Sequence, residues 1–566
     1  SCLLAPNFGI RSPRLDQHIF IMSKKRKDSS INARIVCALV ASMVSIGVVA
    51  APSRVKAPAP RPTLVVGIFV EGLTAEYVDL LRSNFGEDGF NRLLEQGVTV
   101  RNVDYGPGID ATAATAMLVS GAAPAVNGVP SASAWDMTTK REYPVLLDPS
   151  LAGSYTEQQL TPSPLLVSTL SDEVRISDGG LGQVHAIATD PQLAILMAGH
   201  AGNSCYWISD VTGKWTSSRH FRETPLPISR RNVGLTLNSR LDTMAWEPAV
   251  QLDRYPDLPE YKKLYPFRHT FPSRDTNRLK MFKASAMGNR EVAQTAAEYI
   301  SSLKLGSRGV TDMISVGADV TPYLYGREAD NRIETMDAYI RLDHDIASIV
   351  KAVENGPGMA NTLLFVAGTP APSGGKRDEE RWNIPTGQFS PRKAVSLLNM
   401  YLMALHGNGE WVSGYHNGFF YLNRALIKER DMSDTDIRRE SAEFLARMSG
   451  VSDVYTIDDI LARRAGDNPS ALQRNISPNH AGDLLVMVNP GWEVTDGEEY
   501  SVQGETQTQL PVVRWQASTS PVYILSPQID ATEIVERIDA RAIAPTVARI
   551  LRIRSPNAAS LPAVNL

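Results

Sequence analysis

The chain predicts an α/β fold: a doubly wound, mostly parallel sheet flanked by helices, with a smaller inserted α+β subdomain. Three observations carry this. Short continuous apolar runs recur at 64–70, 183–189, 311–316 and 362–367, and runs of that length rich in Val, Ile and Leu are strands buried on both faces. Between them lie helix-spaced stretches, such as Arg290 to Leu303 and the set Ile333, Met336, Ile340, Ala347 and Val350. After about Ser390 the alternation gives way to a local mixture of helices and short strands, the mark of an insertion.

The N-terminus reads as export machinery rather than fold. Met22 is followed by Ser-Lys-Lys-Arg-Lys27 and then by an apolar run from Ile35 to Ala51. Basic residues, an apolar segment and small residues in that order make a signal peptide over residues 22–50, with Val48 and Ala50 suited to cleavage before Ala51. The run is also nearly long enough to span a bilayer, so an uncleaved anchor is the alternative. Residues 1–21 read as an upstream extension outside the fold, and 51–61 as a Pro/Ala linker. Cys2 and Cys37 fall in this part, which leaves Cys205 alone in the mature chain. A lone cysteine excludes an internal disulfide, so the core must be stable unaided. Cys205, in an apolar strand-like context, reads as a small buried hydrophobe.

The first strand ends abruptly on Glu71-Gly72, and a helix is expected from Thr74 to about Leu94. A strand over 97–105 and a small-residue loop follow, the loop feeding a helix that stops at Gly121. Pro162 to Arg175 is expected as a helix. The charged, glycine-containing stretch 374–381 reads as a solvated loop. In the insertion, helices are expected over 393–405 and from Ser433 or Asp434 to Gly450, and strands at 418–422 and 454–457. Residues 483–488, 522–525 and the helix 542–551 are expected back in the large core. The domains are then 62–385 core, 386–482 insertion and 483–566 return.

Ligands of such sheets sit outside the carboxyl ends of the strands, so Glu71 stands where a metal or catalytic carboxylate would be. The plainer alternative is a carboxylate that ends a strand and caps the next helix. Formal net charge is -4, and no basic stripe with interleaved aromatics suggests nucleic-acid binding.

A series of segments in one order carries a resemblance. They are Leu64-Val-Val-Gly-Ile-Phe-Val-Glu-Gly72, Val119-Ser-Gly-Ala-Ala-Pro-Ala-Val-Asn-Gly-Val129, Ala194-Ile-Leu-Met-Ala-Gly-His200 and Tyr206-Trp-Ile-Ser-Asp-Val-Thr-Gly-Lys-Trp215. Later come Tyr339-Ile-Arg-Leu-Asp-His-Asp345, Phe420-Tyr-Leu-Asn-Arg-Ala-Leu-Ile427, Gly482 to Trp492 and Ile543-Ala-Pro-Thr-Val-Ala548. The chain resembles the alkaline phosphatase superfamily, in the periplasmic phosphate-irrepressible branch related to nucleotide pyrophosphatase/phosphodiesterases. The resemblance implies hydrolysis of phosphate esters by two zinc ions and a Thr or Ser nucleophile.

At the implied positions most of those groups are replaced. Glu71 stands for the first Asp, and Ala111 for the nucleophile, with Thr112 beside it as the remaining candidate. Asp319 is retained, but the paired imidazole position is Tyr323, next to Pro322. Thr369 and Pro370 replace the Asp and His of the Ala-Asp-His-Gly signature. The final His falls near Gln507–Leu510, where none occurs. The phosphate-holding Lys and Arg fall near Asp190 and Gln192, and the Asn near Ala132.

The expectation is therefore an exported pseudoenzyme without the two zinc ions, binding an envelope protein or ligand in the periplasm or cell envelope. Membrane association would come only through an uncleaved N-terminal segment. A single divalent cation such as Mg²⁺ or Ca²⁺ on the residual carboxylates Glu71 and Asp319 stays open. The alternative is an active phosphatase or phosphodiesterase, either misaligned above or rebuilt around Thr112, Asp110, Glu71 and Asp319.

Overall fold

The computed structural model describes residues 60–566, apart from 235, 259, 265, 327–329, 372–382, 384, 490, 495–500, 503–504 and 507–517. The expectations for the leader, the linker, the loop 374–381 and the stretch Gln507–Leu510 lie outside the described residues. Among those described, no helix is long and apolar enough to cross a membrane.

In chain order the elements that matter here begin with β1 (Leu64–Glu71), α1 (Ala75–Leu80), α2 (Phe90–Gln96), β2 (Val98–Gly106) and α3 (Ala111–Ser120). Next come β3 (Gly153–Ser154), α4 (Leu170–Ser177), β4 (Val184–Ala188), α5 (Pro191–Ala198), β5 (Ser204–Ile208) and β6 (Trp215–Ser218). They are followed by α6 (Ala286–Ser302), β7 (Asp312–Asp319), α7 (Arg332–Glu354) and β8 (Thr362–Thr369). The insertion contributes α8 (Pro391–His406), β9 (Val412–His416), β10 (Phe419–Leu422), α9 (Asp434–Leu445), β11 (Val451–Thr456), α10 (Pro469–Asn475) and β12 (Leu484–Val488). β13 (Ser518–Leu525), β14 (Thr532–Asp539) and α11 (Ile543–Leu551) close the chain.

Among the described residues, ten strands make one sheet in the order β14-β2-β13-β8-β1-β7-β4-β5-β6-β3. Its centre, from β8 to β5, is parallel. β13 runs antiparallel between β8 and β2, and β6 runs antiparallel beyond β5. Alternation along β1 builds two cores. Leu64, Val66, Ile68 and Val70 face a cluster that includes Val292 and Tyr299 of α6 and Ile340 of α7. Val65 and Phe69 face the other, with Ala113 and Met117 of α3, Ile195 of α5 and Val547 of α11. Burial on both faces is why these strands read as unbroken apolar runs, each large side chain contributing roughly 1.5–3 kcal/mol. Cys205 is buried within β5.

Three expectations need correction. The helix expected over 74–94 is broken into α1, a 3-10 turn at Arg82–Asn84, and α2. The Asp343 carboxylate accepts from the backbone N–H of Gly86 at 2.8 Å and of Phe90 at 2.7 Å. It sits so close to Gly89 that a Cβ there would lie 1.9 Å from its Oδ1. The helix expected from Pro162 starts only at Leu170, where Thr169 and Asp172 form a reciprocal cap. Residues 484–488 do not rejoin the core. β12 pairs antiparallel with β10 and β11 in a four-stranded sheet ordered β9-β10-β12-β11. The insertion thus runs past residue 482, and Trp492–Val494 still pair with Gly387–Phe389.

The insertion also reaches back to the core. At the end of α10, the Asn475 amide donates to the carbonyls of Tyr105 and Pro107, both at 2.9 Å. Gly106 between them has φ 76°, and a Cβ there would meet the Asn475 amide nitrogen at 2.7 Å. This clasp fixes the turn that leads into α3.

Candidate functional site at the carboxyl edge of the sheet

β1, β7 and β8 end in step. Glu71 stands beside Asp319 on one side and Thr369 on the other, so the three side chains project from the same face. That face is the one bearing Phe69, Met313 and Phe365. It is covered by α3 and α5, each of which starts on an aspartate. Asp110 caps α3 through Ala113 N–H at 2.8 Å, and its second oxygen accepts from Ala132 N–H at 2.7 Å. Asp190 caps α5 through Leu193 N–H at 2.9 Å.

The result is a set of four carboxylates that feel one another. Burial first, then the charges of Asp319, Asp190 and Asp110, push the Glu71 carboxyl well above the usual carboxylate range. Burial likewise raises Asp110, Asp190 and Asp319, against hydrogen bonds from their neighbouring backbone N–H groups. Glu71, Asp110 and Asp319 are half-buried and Asp190 is exposed. Lys283 acts on Asp190, but its ammonium is held by Asp210 at 2.5 Å. Asp319 Oδ1 accepts from Thr321 N–H at 2.7 Å, whereas no donor or cation among the described residues meets the Glu71 carboxylate.

The other sequence-derived positions fall as follows. Ala111 is the first residue of α3, and Thr112 lies half-buried in its first turn. Asp110 has both oxygens committed to backbone N–H groups, so it is not free to act as a base for Thr112. The positions implied to hold phosphate do converge. Gln192 Nε2 donates to Ala132 O at 2.7 Å and its Oε1 accepts from Leu146 N–H. They form a neutral, self-satisfied patch beside Asp190. Thr369 is 1% exposed, with its hydroxyl lacking a partner among the described residues, and Pro370 is buried after it. Tyr323 lies in the opposite core, its ring 4.6 Å from His269 and 5.2 Å from Trp246.

The edge therefore unites Glu71, Asp319 and Thr369 with Asp110 and Asp190, and leaves Tyr323 out. The sequence grouped Asp110 with Glu71 and Asp319 but not Asp190, whose charge also acts on Glu71; Asp190-Pro191 is a helix-start signal that could have placed it.

A two-zinc centre needs closed sets of imidazole and carboxylate ligands. Among the described residues no three of His, Cys, Asp and Glu come together in a way that could hold a metal ion. Histidines are engaged elsewhere: His200 bridges Asp172 at 3.1 Å and Leu165 O at 2.9 Å, and His416 lies on Ser133. The described residues do not fit two zinc ions.

Comparison with known proteins agrees with this architecture. The alkaline phosphatase PafA crystal structure superposes with a TM-score of 0.76 at 22% identity, covering 89% of this chain and 98% of that one. In sequence, a calcium-transporting ATPase of Myroides odoratus is 26% identical over 88% of this chain and 93% of its own length. Alkaline phosphatase PhoV of Synechococcus elongatus is 24% identical over 88% of this chain and 91% of its own. Alkaline phosphatase PafA of Elizabethkingia meningoseptica is 24% identical over 88% and 93%. The family model for type I phosphodiesterase / nucleotide pyrophosphatase matches residues 65–512, and the chain belongs to that family, within the alkaline phosphatase superfamily.

Proposed function

We propose that this chain is an exported, non-hydrolytic member of its family that acts in the cell envelope by binding, with the carboxyl edge of the sheet as its ligand-facing cleft. The observation that carries the reading is the charge of that edge. A phosphate ester brings negative charge to a floor made of Glu71, Asp110, Asp190 and Asp319. Helix N-termini are ready-made anion sites, but α3 and α5 are already capped by carboxylates of the chain itself. Export is supported by the basic, apolar and small-residue order of residues 22–51. N-terminal sequencing of protein from the envelope fraction tests it: a start at Ala51 means cleavage, an earlier start an anchor, and recovery from the cytoplasm alone refutes export.

A second reading, an active phosphatase or phosphodiesterase, is favoured by the near full-length similarity to proteins named alkaline phosphatases. Metal analysis of the purified chain decides between them, together with hydrolysis of p-nitrophenyl phosphate and bis(p-nitrophenyl) phosphate. Binding without hydrolysis predicts no stoichiometric zinc and no chelator-sensitive turnover. Stoichiometric zinc with turnover that a chelator abolishes would establish the second reading.

A further inference from the structure

The two edges of the ten-stranded sheet are finished differently. One is β3, a strand of two residues, too short to template another chain. The other is β14, eight residues long, with no strand beyond it among the described residues. The outer row of backbone N–H and C=O groups on such an edge is where a further strand adds. This one is open to solvent: Thr532, Glu533, Val535, Glu536 and Arg537 are exposed, Val535 to 60%. Ile534 and Ile538 turn to the core instead.

We infer that β14 pairs with β14 of a second copy of this chain, antiparallel, across a twofold axis at Val535. The charge pattern selects that partner and that orientation. Glu533 stands two residues before Val535 and Arg537 two residues after it. Antiparallel pairing about Val535 therefore sets Glu533 against the partner's Arg537, twice by symmetry, with the two exposed Val535 side chains meeting between the ion pairs. Parallel pairing in register would set Glu on Glu and Arg on Arg, which repels. Both charges have room to reach across. Glu533 meets Arg101 of β2 at 3.4 Å and Arg537 meets Asp104 at 3.1 Å, yet both side chains remain more than half exposed. Val535 and Glu536 together oppose Arg101 in a bulge, fixed by Asn102 Nδ2 on Val535 O at 2.9 Å. Bulges and charges are the means by which an edge strand refuses indiscriminate pairing, and a self-complementary charge pair admits this one partner. The inference is separate from the reading of the cleft and stands whatever that cleft binds.

Sedimentation equilibrium of the purified chain in low salt, from about 1 to 200 µM, tests the inference. One strand a side is a small interface, so the expected result is a reversible dimer in the micromolar range. Val535→Lys, which sets two ammonium groups on the axis, should weaken it at least tenfold. Glu533→Arg and Arg537→Glu should each weaken self-association about fivefold or more. An equimolar mixture of those two variants should regain dimer to within about twofold of the unaltered chain, because the mixed pair has Arg opposite Glu at both ends. Melting temperatures establish that each variant is folded, and the mixing result compares the same two variants with themselves, so it does not depend on what either substitution costs its own fold. A chain that stays monomeric throughout overturns the inference and assigns the edge to no second copy. A dimer that folded Val535→Lys leaves intact belongs to another face and overturns it too. Equal association in the mixture and in the separate variants overturns the antiparallel register on which it rests.

Discussion

Asp337 and Glu71 are both carboxylates held within the same fold, and they are treated in opposite ways. Asp337, on α7, is fully buried and accepts from Trp246 Nε1 and Ala249 N–H at 2.6 Å, and from Tyr255 Oη and Arg341 Nε at 2.7 Å. Glu71 is half-buried and meets no donor from the described chain. A carboxylate that serves the fold is saturated by the fold, because an unpaired one destabilises it. Asp345, further along α7, is an intermediate case. It is 7% exposed with Oδ2 unpartnered, and burial pushes its carboxyl up to about 7 against Arg290 and Arg341. Sealed from solvent, it holds its proton more tightly than a free carboxyl does. Glu71 is wetted and open to a counter-ion from outside.

This contrast can be broken by measurement. Asp337→Ala should lose the most, about 3–5 kcal/mol in urea unfolding, because it strands Trp246, Tyr255 and Arg341. A loss below about 1 kcal/mol would mean that saturation is not what the fold requires there. Asp345→Asn should gain stability. The native carboxyl titrates near 7 against 3.8 in the unfolded chain, so the native state holds the proton more tightly and stability falls as pH rises between those values. The gain should be roughly 2 kcal/mol at pH 8, with about 4 kcal/mol as its ceiling, and should vanish near pH 4. Unfolding curves of both proteins at the two pH values check it, and a gain independent of pH would point to packing instead.

Smaller effects follow at the cleft and beyond. Glu71→Gln removes like charge and should raise stability by about 1 kcal/mol without added ligand. Destabilisation of that size would place an unrecognised donor on Glu71. His200→Gln should cost least, under about 1 kcal/mol, since the ring is partly exposed and solvent screens it. The Asp172 hydrogen bond holds the His200 imidazolium above its usual range. Its contribution is complete below pH 6.5 and disappears as pH rises through the folded value. Melting temperatures of the two proteins should therefore converge in alkaline buffer.

The strands were legible because burial on two faces leaves an unbroken apolar run, and β1 is found one residue longer than its run suggested. The break between α1 and α2 was not legible, because its cause is Asp343, far along the chain. β12 was assigned to the wrong sheet for a related reason: Leu484–Val488 is equally apolar in either, and only pairing decides. At the site, residue types were readable as departures from a resemblance, and Glu71, Asp319 and Thr369 do stand together. That Tyr323 turns into the opposite core, while two helix caps complete the acidic floor, is tertiary information.

The Asn475 clasp bears on how the chain can be cut. Two hydrogen bonds from α10 hold the carbonyls on either side of Gly106, so excising the insertion would remove a strut rather than an ornament. A proteolytic nick in its outer loops should leave the cleft standing as long as α10 stays docked. Cutting α10 away would free the turn that aims α3, and with it Asp110. A helix about four hundred residues along the chain from the first strand thus acts as the keystone of the arch beside it.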